Sequence, residues 1–416
     1  MKIDKLKVKH VRRWQCHVFV CIFMFLYLWF FREPNYFNLP TPTHQRFTYY
    51  IQFFLPLKLV GLAFEVKDAT LKCRKASKEE YEQIPYHEKE LAEITLKNIF
   101  GYCFNYVSVF SGPYFTYRTY RDSFVEKYSS DEKLAEACDS NTVETFKSIV
   151  IVIVLYVLLS YLWPPRRIFE DEFYTDQSFI FRLWYMCLVC FINRMKLYFG
   201  LIVSQCVCSA AGVGAYPSVF QSTPGQGPRT KDPQLLENWD GTYDFNTIKN
   251  CDIYTVETCW TFQELAKCWH MSIQYWLYVN VYKRVPNRKL RVGVTFLVSA
   301  YCHGIDPGNY FTIAISILYI TIENLCLERL RSSFPNVSFW LKGCMWTFKN
   351  FALSYMFISG HLLTLPRIWK YYNSVFHFGF IFFICQYALA LFWPKISIMI
   401  FERRERENKE KINETS

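Results

Sequence analysis

An all-α, polytopic transmembrane helical bundle is the fold class this sequence predicts, and three observations predict it. Of the 416 residues, 52% are hydrophobic and 19% aromatic. The apolar residues come in long stretches without charge, such as Trp14–Phe31, Ser148–Trp163 and Tyr371–Trp393. A helix needs about 17–25 such residues to cross a bilayer, where each backbone polar group must be satisfied within the protein. The 30 Tyr and 12 Trp suit the two membrane–water interfaces. The basic residues gather in short connections, Lys2–Arg13, Lys283–Arg291, Arg329–Arg331 and Arg403–Lys411, a pattern that puts those connections on the cytosolic side.

The elements follow in order. Trp14–Phe31 has a basic flank and an apolar core, but Arg32-Glu33-Pro34 follows directly where a signal peptide would carry small residues. It reads as a retained first span. Phe47–Phe64 comes next and contains Lys58, followed by Lys97–Phe115, Ser148–Trp163, Phe179–Ile192 and Leu197–Val213. Cys268–Tyr282, Val292–Tyr301, Tyr310–Leu325, Trp346–Leu365 and Tyr371–Trp393 complete the series. That makes about ten or eleven segments at membrane depth, some too short to span alone. Polar stretches separate them: Glu65–Leu96, a surface helix or loop; Arg121–Lys147, net acidic; Pro164–Asp176; and Pro217–Lys267, whose second half, Tyr254–Trp269, has the pattern of an amphipathic helix. None alternates well enough over enough length to bury a core of its own. Residues 1–400 therefore read as one polytopic domain and 401–416 as a charged, solvated tail.

The net charge of +11 would suggest nucleic acid in a soluble chain, but the topogenic placement of the basic residues already accounts for it. The 16 Cys lie mainly in apolar stretches, where Cys behaves as a small apolar residue. Cys187-x-x-Cys190 and Cys206-x-Cys208 have no second Cys/His pair at metal-site spacing, so neither a metal site nor a disulfide framework is expected. Asn336-Val337-Ser338 and Asn413-Glu414-Thr415 match the glycosylation sequon but stand beside basic, cytosolic segments.

His303 is the foremost candidate for chemistry. It ends an apolar run, Val298-Ser299-Ala300-Tyr301-Cys302-His303, just before Gly304-Ile305-Asp306-Pro307-Gly308. An ionisable side chain at membrane depth is costly and by default a functional hypothesis. Broken backbone there is tolerated where it lines a cavity, and Asp306 is near enough in sequence to orient the ring. A histidine that merely bonds a backbone carbonyl between helices is the competing reading. His270 is the second candidate; on a helix it shares a face with Gln274, and the alternative is a histidine in an interfacial aromatic belt between Trp269 and Trp276. Lys283, Arg284, Arg288, Lys289 and Arg291 form a third group, suited either to phosphates of an anionic co-substrate or to topogenesis alone. Gly112-Pro113, which breaks a helix, followed by Arg118, is a fourth. The small residues of Ala210–Pro217, which allow close helix packing, are a fifth. Arg194 and Lys196 lie just before them, at or near membrane depth, where charges need partners or water.

Taken together these motifs resemble the membrane-bound O-acyltransferase family, and within it the lysophosphatidylinositol acyltransferase branch. The resemblance is carried by Ser299–Gly308, Trp269–Leu277, Gly112–Tyr120 and Ala210–Pro217, with Leu39–Thr43 and Tyr243–Asn250 also fitting, and it covers nearly the whole chain. It departs in three places. Cys302 stands where the family usually has Trp, His270 where it usually has Asn, and the N-terminus looks short by about two membrane segments. The resemblance implies membrane helices around a buried tunnel, in the endoplasmic reticulum membrane. It implies transfer of an acyl chain from acyl-CoA to the free hydroxyl of a lysophospholipid, with lysophosphatidylinositol and polyunsaturated acyl-CoA as the branch's substrates. His303 would be the base that takes the hydroxyl proton. His270 would donate a hydrogen bond to the substrate oxygen or oxyanion. Gln274, Arg118 and Arg284 would bind substrate. Acyl-CoA would be a co-substrate, with no bound cofactor and no metal. The alternative is a non-catalytic or weakened homologue that binds membrane lipid, for which His270 is the feature. A transporter would carry inverted repeats with paired broken helices, and none is visible.

Overall fold

The computed structural model describes residues 2–32, 45–109, 112–126, 128, 130–333 and 338–395. Outside these fall Leu39–Thr43, Phe110 and Ser111, both sequon asparagines and the 401–416 tail. Helices make up most of the described chain, with one pair of two-residue strands and irregular connections between them, and it divides into two compact units.

The first unit comprises residues 1–158, 194–253 and 268–305. Helices α1 (Lys2–Arg32) and α2 (Gln45–Lys75) pack along one another. Around them come α3 (Lys78–Gln83), α4 (Tyr86–Ala92), α5 (Leu96–Cys103) and α6 (Tyr117–Val125). Each of these short helices that begins after Ser or Thr is capped by it: Ser77 and Glu80 form a capping box, Thr95 accepts from Asn98 N and Thr116 from Thr119 N. Most of α7 (Asp131–Leu162) and the second half of α9 (Phe179–Ala210) follow. Strands β1 (Tyr216–Pro217) and β2 (Tyr243–Asp244) pair antiparallel, with Tyr216 opposite Asp244. The unit ends in α12 (Met271–Asn280) and α13 (Arg291–His303).

Burying polar groups shapes this unit as much as apolar packing does. Lys58 is fully buried in α2; its Nζ donates to Ser108 Oγ at 2.6 Å and Tyr102 O at 3.1 Å, against the rings of Tyr102 and Phe115. A lysine at this depth persists because its donors are met. Beside it, Met24, Phe54, Leu57, Val60, Tyr114, Ile273 and Trp276 form one apolar cluster joining α1, α2 and α12. Trp276 Nε1 donates to Leu57 O at 2.8 Å.

The second unit comprises residues 159–193, 254–267 and 306–416. It holds α8 (Glu172–Asp176), the first half of α9, α10 (Ile253–Thr258), α11 (Phe262–Cys268), α14 (Pro307–Ser333), α15 (Phe339–Leu362), α16 (Leu365–Ser374) and α17 (Phe378–Lys395). Helix α14 starts close against the end of α15: the Gly308 N–H donates to Leu363 O at 2.8 Å, and a Cβ there would lie 2.2 Å from Ser359 O. Two buried charges hold the break between α10 and α11. Lys349 Nζ donates to the carbonyls of Val256 (3.1 Å) and Cys259 (2.8 Å), and Glu323 accepts from the N–H groups of Phe262 (2.7 Å) and Gln263 (3.1 Å). A cation at a helix C-terminus and a carboxylate at an N-terminus each complement the local dipole.

Among the described residues, four helices are long and apolar enough to cross a membrane: residues 132–162, 179–210, 307–333 and 378–395. Several boundaries differ from those the sequence suggested. Phe179–Ile192 and Leu197–Val213 are one continuous helix, α9, because Arg194 is accommodated inside it with only 6% of its surface exposed. The apolar run Ser148–Trp163 is the second half of α7, which already begins at Asp131 in what read as a polar connection. Lys97–Phe115 is not a span; α5 stops at Cys103, and an irregular turn leads to Gly112 at φ 78°. Tyr371–Trp393 is split at Val375–His377, where Phe376 and His377 take φ of 50° and 53°. Tyr254–Trp269 is two short helices instead of one.

Candidate functional site

His303 is the last residue of α13, and Gly304, at φ 140°, ends the helix with its N–H bonded to the carbonyls of Ala300 and Tyr301. Few residues other than glycine take such a backbone, so the helix stops where the sequence places it. The imidazole is exposed while its neighbour Cys302 is buried, and it stacks on Phe53 of α2 with ring centroids 5.7 Å apart. Tyr301 fixes the helix end against α1: its hydroxyl donates to Phe25 O at 2.6 Å. Asp306, the expected orienter, opens the second unit.

His270 sits at a corner of quite different construction. It caps α12 from the left-handed region, at φ 48° and ψ 48°. Asn, Asp and His are the non-glycine residues enriched there, so a position held by Asn in the resembling family and by His here obeys one backbone rule. The corner is held from several directions. His270 O accepts from Ile273 N and Gln274 N, both at 3.0 Å, and Met271 N donates to Asn250 O at 2.8 Å. Ser272 Oγ donates to Asn250 Oδ1 and accepts from Tyr114 N at 3.3 Å. Gly225, at φ 75°, brings its loop so close that a Cβ would stand 3.1 Å from Ser272 O. The Trp269 ring packs on Tyr198 at 5.4 Å and on His270 at 5.8 Å.

Both histidines belong to the first unit, His270 at the start of α12 and His303 at the end of α13, two helices that touch one another. Gln274, one turn along α12, is exposed, and its Nε2 donates to Trp269 O. The two arginines lie elsewhere. Arg118 on α6 faces Asp122 at 3.9 Å, but Asp122 already accepts from Tyr216 Oη at 2.6 Å and Lys231 Nζ at 2.7 Å. Burial, together with the Arg118 guanidinium, pushes the neighbouring His87 imidazole below its ordinary range. Arg284 pairs with Asp68 at 2.8 Å and lies 3.9 Å from the Phe64 ring centre, so much of its charge serves the contact of its own segment with α2.

Reading the sequence missed Asn250, Ser272, Tyr114 and Phe53, which hold or flank the histidines. Asn250, Ser272 and Tyr114 were signalled only by membership of the motif stretches and Phe53 not at all, since the contacts span up to 250 positions of chain (Phe53 to His303). Among the described residues no group of three or more His, Cys, Asp or Glu is disposed to hold a metal ion, and all 16 cysteines are unbridged. Two imidazoles so placed can divide acid–base labour: one accepts a proton while the other donates a hydrogen bond.

The sequence model of the membrane-bound O-acyltransferase family matches residues 5–366. A membrane-bound acylglycerophosphatidylinositol O-acyltransferase of Drosophila melanogaster is 38% identical over 391 residues, 90% of this chain and 78% of that protein. Proteins of the same description from Xenopus laevis and Homo sapiens are each 32% identical. The first covers 95% of this chain and 82% of its own length, the second 90% and 78%.

Proposed function

The chain belongs to the membrane-bound O-acyltransferase family, and from that premise we propose that it moves an acyl chain from acyl-CoA to the free hydroxyl of lysophosphatidylinositol. The observation that supports the chemistry is that His303 and His270 stand in one unit, at the end and the start of two helices that touch. The head group is supported by the relatives, which are acylglycerophosphatidylinositol O-acyltransferases.

A thioester is already activated, whereas an alcohol is a weak nucleophile, so the main need is a base for the hydroxyl proton. His303 takes that proton as the hydroxyl oxygen bonds to the thioester carbon. His270 donates a hydrogen bond to the carbonyl oxygen as negative charge develops there. Collapse re-forms the carbonyl and expels CoA thiolate, which receives the proton from His303. Gln274 flanks His270, and Arg118 and Arg284 contribute charge for the phosphates of acyl-CoA. The setting is the endoplasmic reticulum membrane, and the acyl chain is polyunsaturated. A non-catalytic lipid-binding role has no observation in its favour beyond His270 itself, whose left-handed backbone suits either residue.

The test is an acceptor panel. Membranes containing the chain, given labelled polyunsaturated acyl-CoA, are expected to label lysophosphatidylinositol well above lysophosphatidylcholine and lysophosphatidylethanolamine. Equal rates on all three would overturn the head group, and no transfer to any would overturn the activity.

A further inference from the structure

Helix α13 carries positive charge near both ends. At its start lie Lys283, Arg284, Arg288, Lys289 and Arg291. At its finish, one helix length of about 20 Å away, lies Arg32, the last residue of α1. Arg32 exposes only 9% of its surface and donates to Tyr301 O at 3.3 Å, two residues before His303.

A guanidinium buried at the end of an apolar helix is expensive to desolvate and points to function. Part of its role is local, since a cation at a helix C-terminus satisfies terminal carbonyls and the dipole. A planar, delocalised guanidinium is also the side chain best matched to phosphate oxygens. In a lysophospholipid the phosphodiester lies only a few bonds from the free hydroxyl, so a base on the hydroxyl brings the phosphate to the base's immediate surroundings. The phosphates of CoA lie at the far end of the pantetheine arm, which suits the cluster at the other end of α13.

We propose that Arg32 is the anchor for the lysophospholipid phosphate, holding the acceptor so that its hydroxyl meets His303. The proposal rests on the acyl-transfer reading above. It predicts a requirement for phosphate that is shared by all lysophospholipids, with the choice of head group made elsewhere.

Kinetics of Arg32→Gln in membranes test it, because an amide can still donate to Tyr301 O while the charge is gone. KM for lysophosphatidylinositol is expected to rise about tenfold or more, with KM for acyl-CoA unchanged and kcat within about threefold. Monoacylglycerol, which lacks the phosphate, should inhibit variant and wild type at the same concentration. Arg32→Lys, which keeps the charge but not the fork, should give a smaller rise in the same constant. An unchanged lysolipid KM in both variants would overturn the proposal. So would equal rises for both substrates, which would assign Arg32 to CoA phosphate or to the fold, or a fall in kcat alone. These outcomes are read on a transferring enzyme, so they are distinct from failure of the acyl-transfer reading, which would show as no wild-type transfer.

Discussion

His303 and His270, the proposed catalytic pair, are placed by opposite structural means. His303 closes a regular helix, and its position follows from local rules: apolar residues through Ala300, then a glycine that ends the turn. His270 occupies a left-handed corner whose local bonds, to Ile273 N and Gln274 N, are braced from a distance through Asn250, Ser272 and Tyr114, on three separate stretches of chain. The exposed ring at a helix end suits a group that must approach the substrate and exchange a proton. The braced corner suits a donor whose value lies in being already aimed when charge develops. A general base tolerates some adjustment, whereas a pre-aimed dipole loses effect if its frame loosens.

This contrast orders the expected effects of mutation. Replacing His303 with Ala removes the base, and transfer should fall by about 10²–10⁴ with membrane protein level unchanged. His270→Ala removes the donor, for an expected loss of roughly 10²–10³ in kcat, and also puts alanine at a left-handed position at a cost of about 1–2 kcal/mol. His270→Gly should lose the same activity without that instability, and thermal unfolding in detergent would separate the two terms. His270→Asn keeps both the backbone and a donor and should stay within about tenfold of wild type. An Asn variant as poor as the Ala variant would mean that the imidazole itself is needed. Ser272→Ala breaks two bonds at the corner; a loss of about 1–2 kcal/mol is expected, with a several-fold lower kcat and little change in KM. The smallest effects concern the arginines. Arg118→Gln should raise KM for acyl-CoA more than Arg284→Gln does, because Arg284 is already paired with Asp68 and packed on Phe64.

The same contrast explains what could be read from the sequence. The helical membrane class was legible because uncharged apolar length is a local property, plain in Ser148–Trp163 and Tyr310–Leu325. Continuity was not. Arg194 and Lys196 look like a boundary between spans, yet α9 runs through them, because partners supplied by the fold decide whether a charge can stay inside a helix. Conversely, Phe376 and His377 themselves take the left-handed backbone that interrupts an apolar run, while the nearby Gly379 does not. At the site, Gly304 and Pro307 announced the end of the His303 helix, whereas nothing in Trp269–Leu277 announced that His270 turns the chain instead of lying on a helix face with Gln274. Arg32 read only as the stop of the first span, since its meaning depends on Tyr301, far along the chain.

The most direct test of His303 as the base is chemical rescue. His303→Gly leaves room for a small base at a ring that is exposed in the folded chain. Transfer from labelled acyl-CoA to lysophosphatidylinositol should fall to background in this variant and recover in proportion to the neutral fraction of added imidazole. Transfer by His303→Gly at the wild-type rate without imidazole would contradict the account.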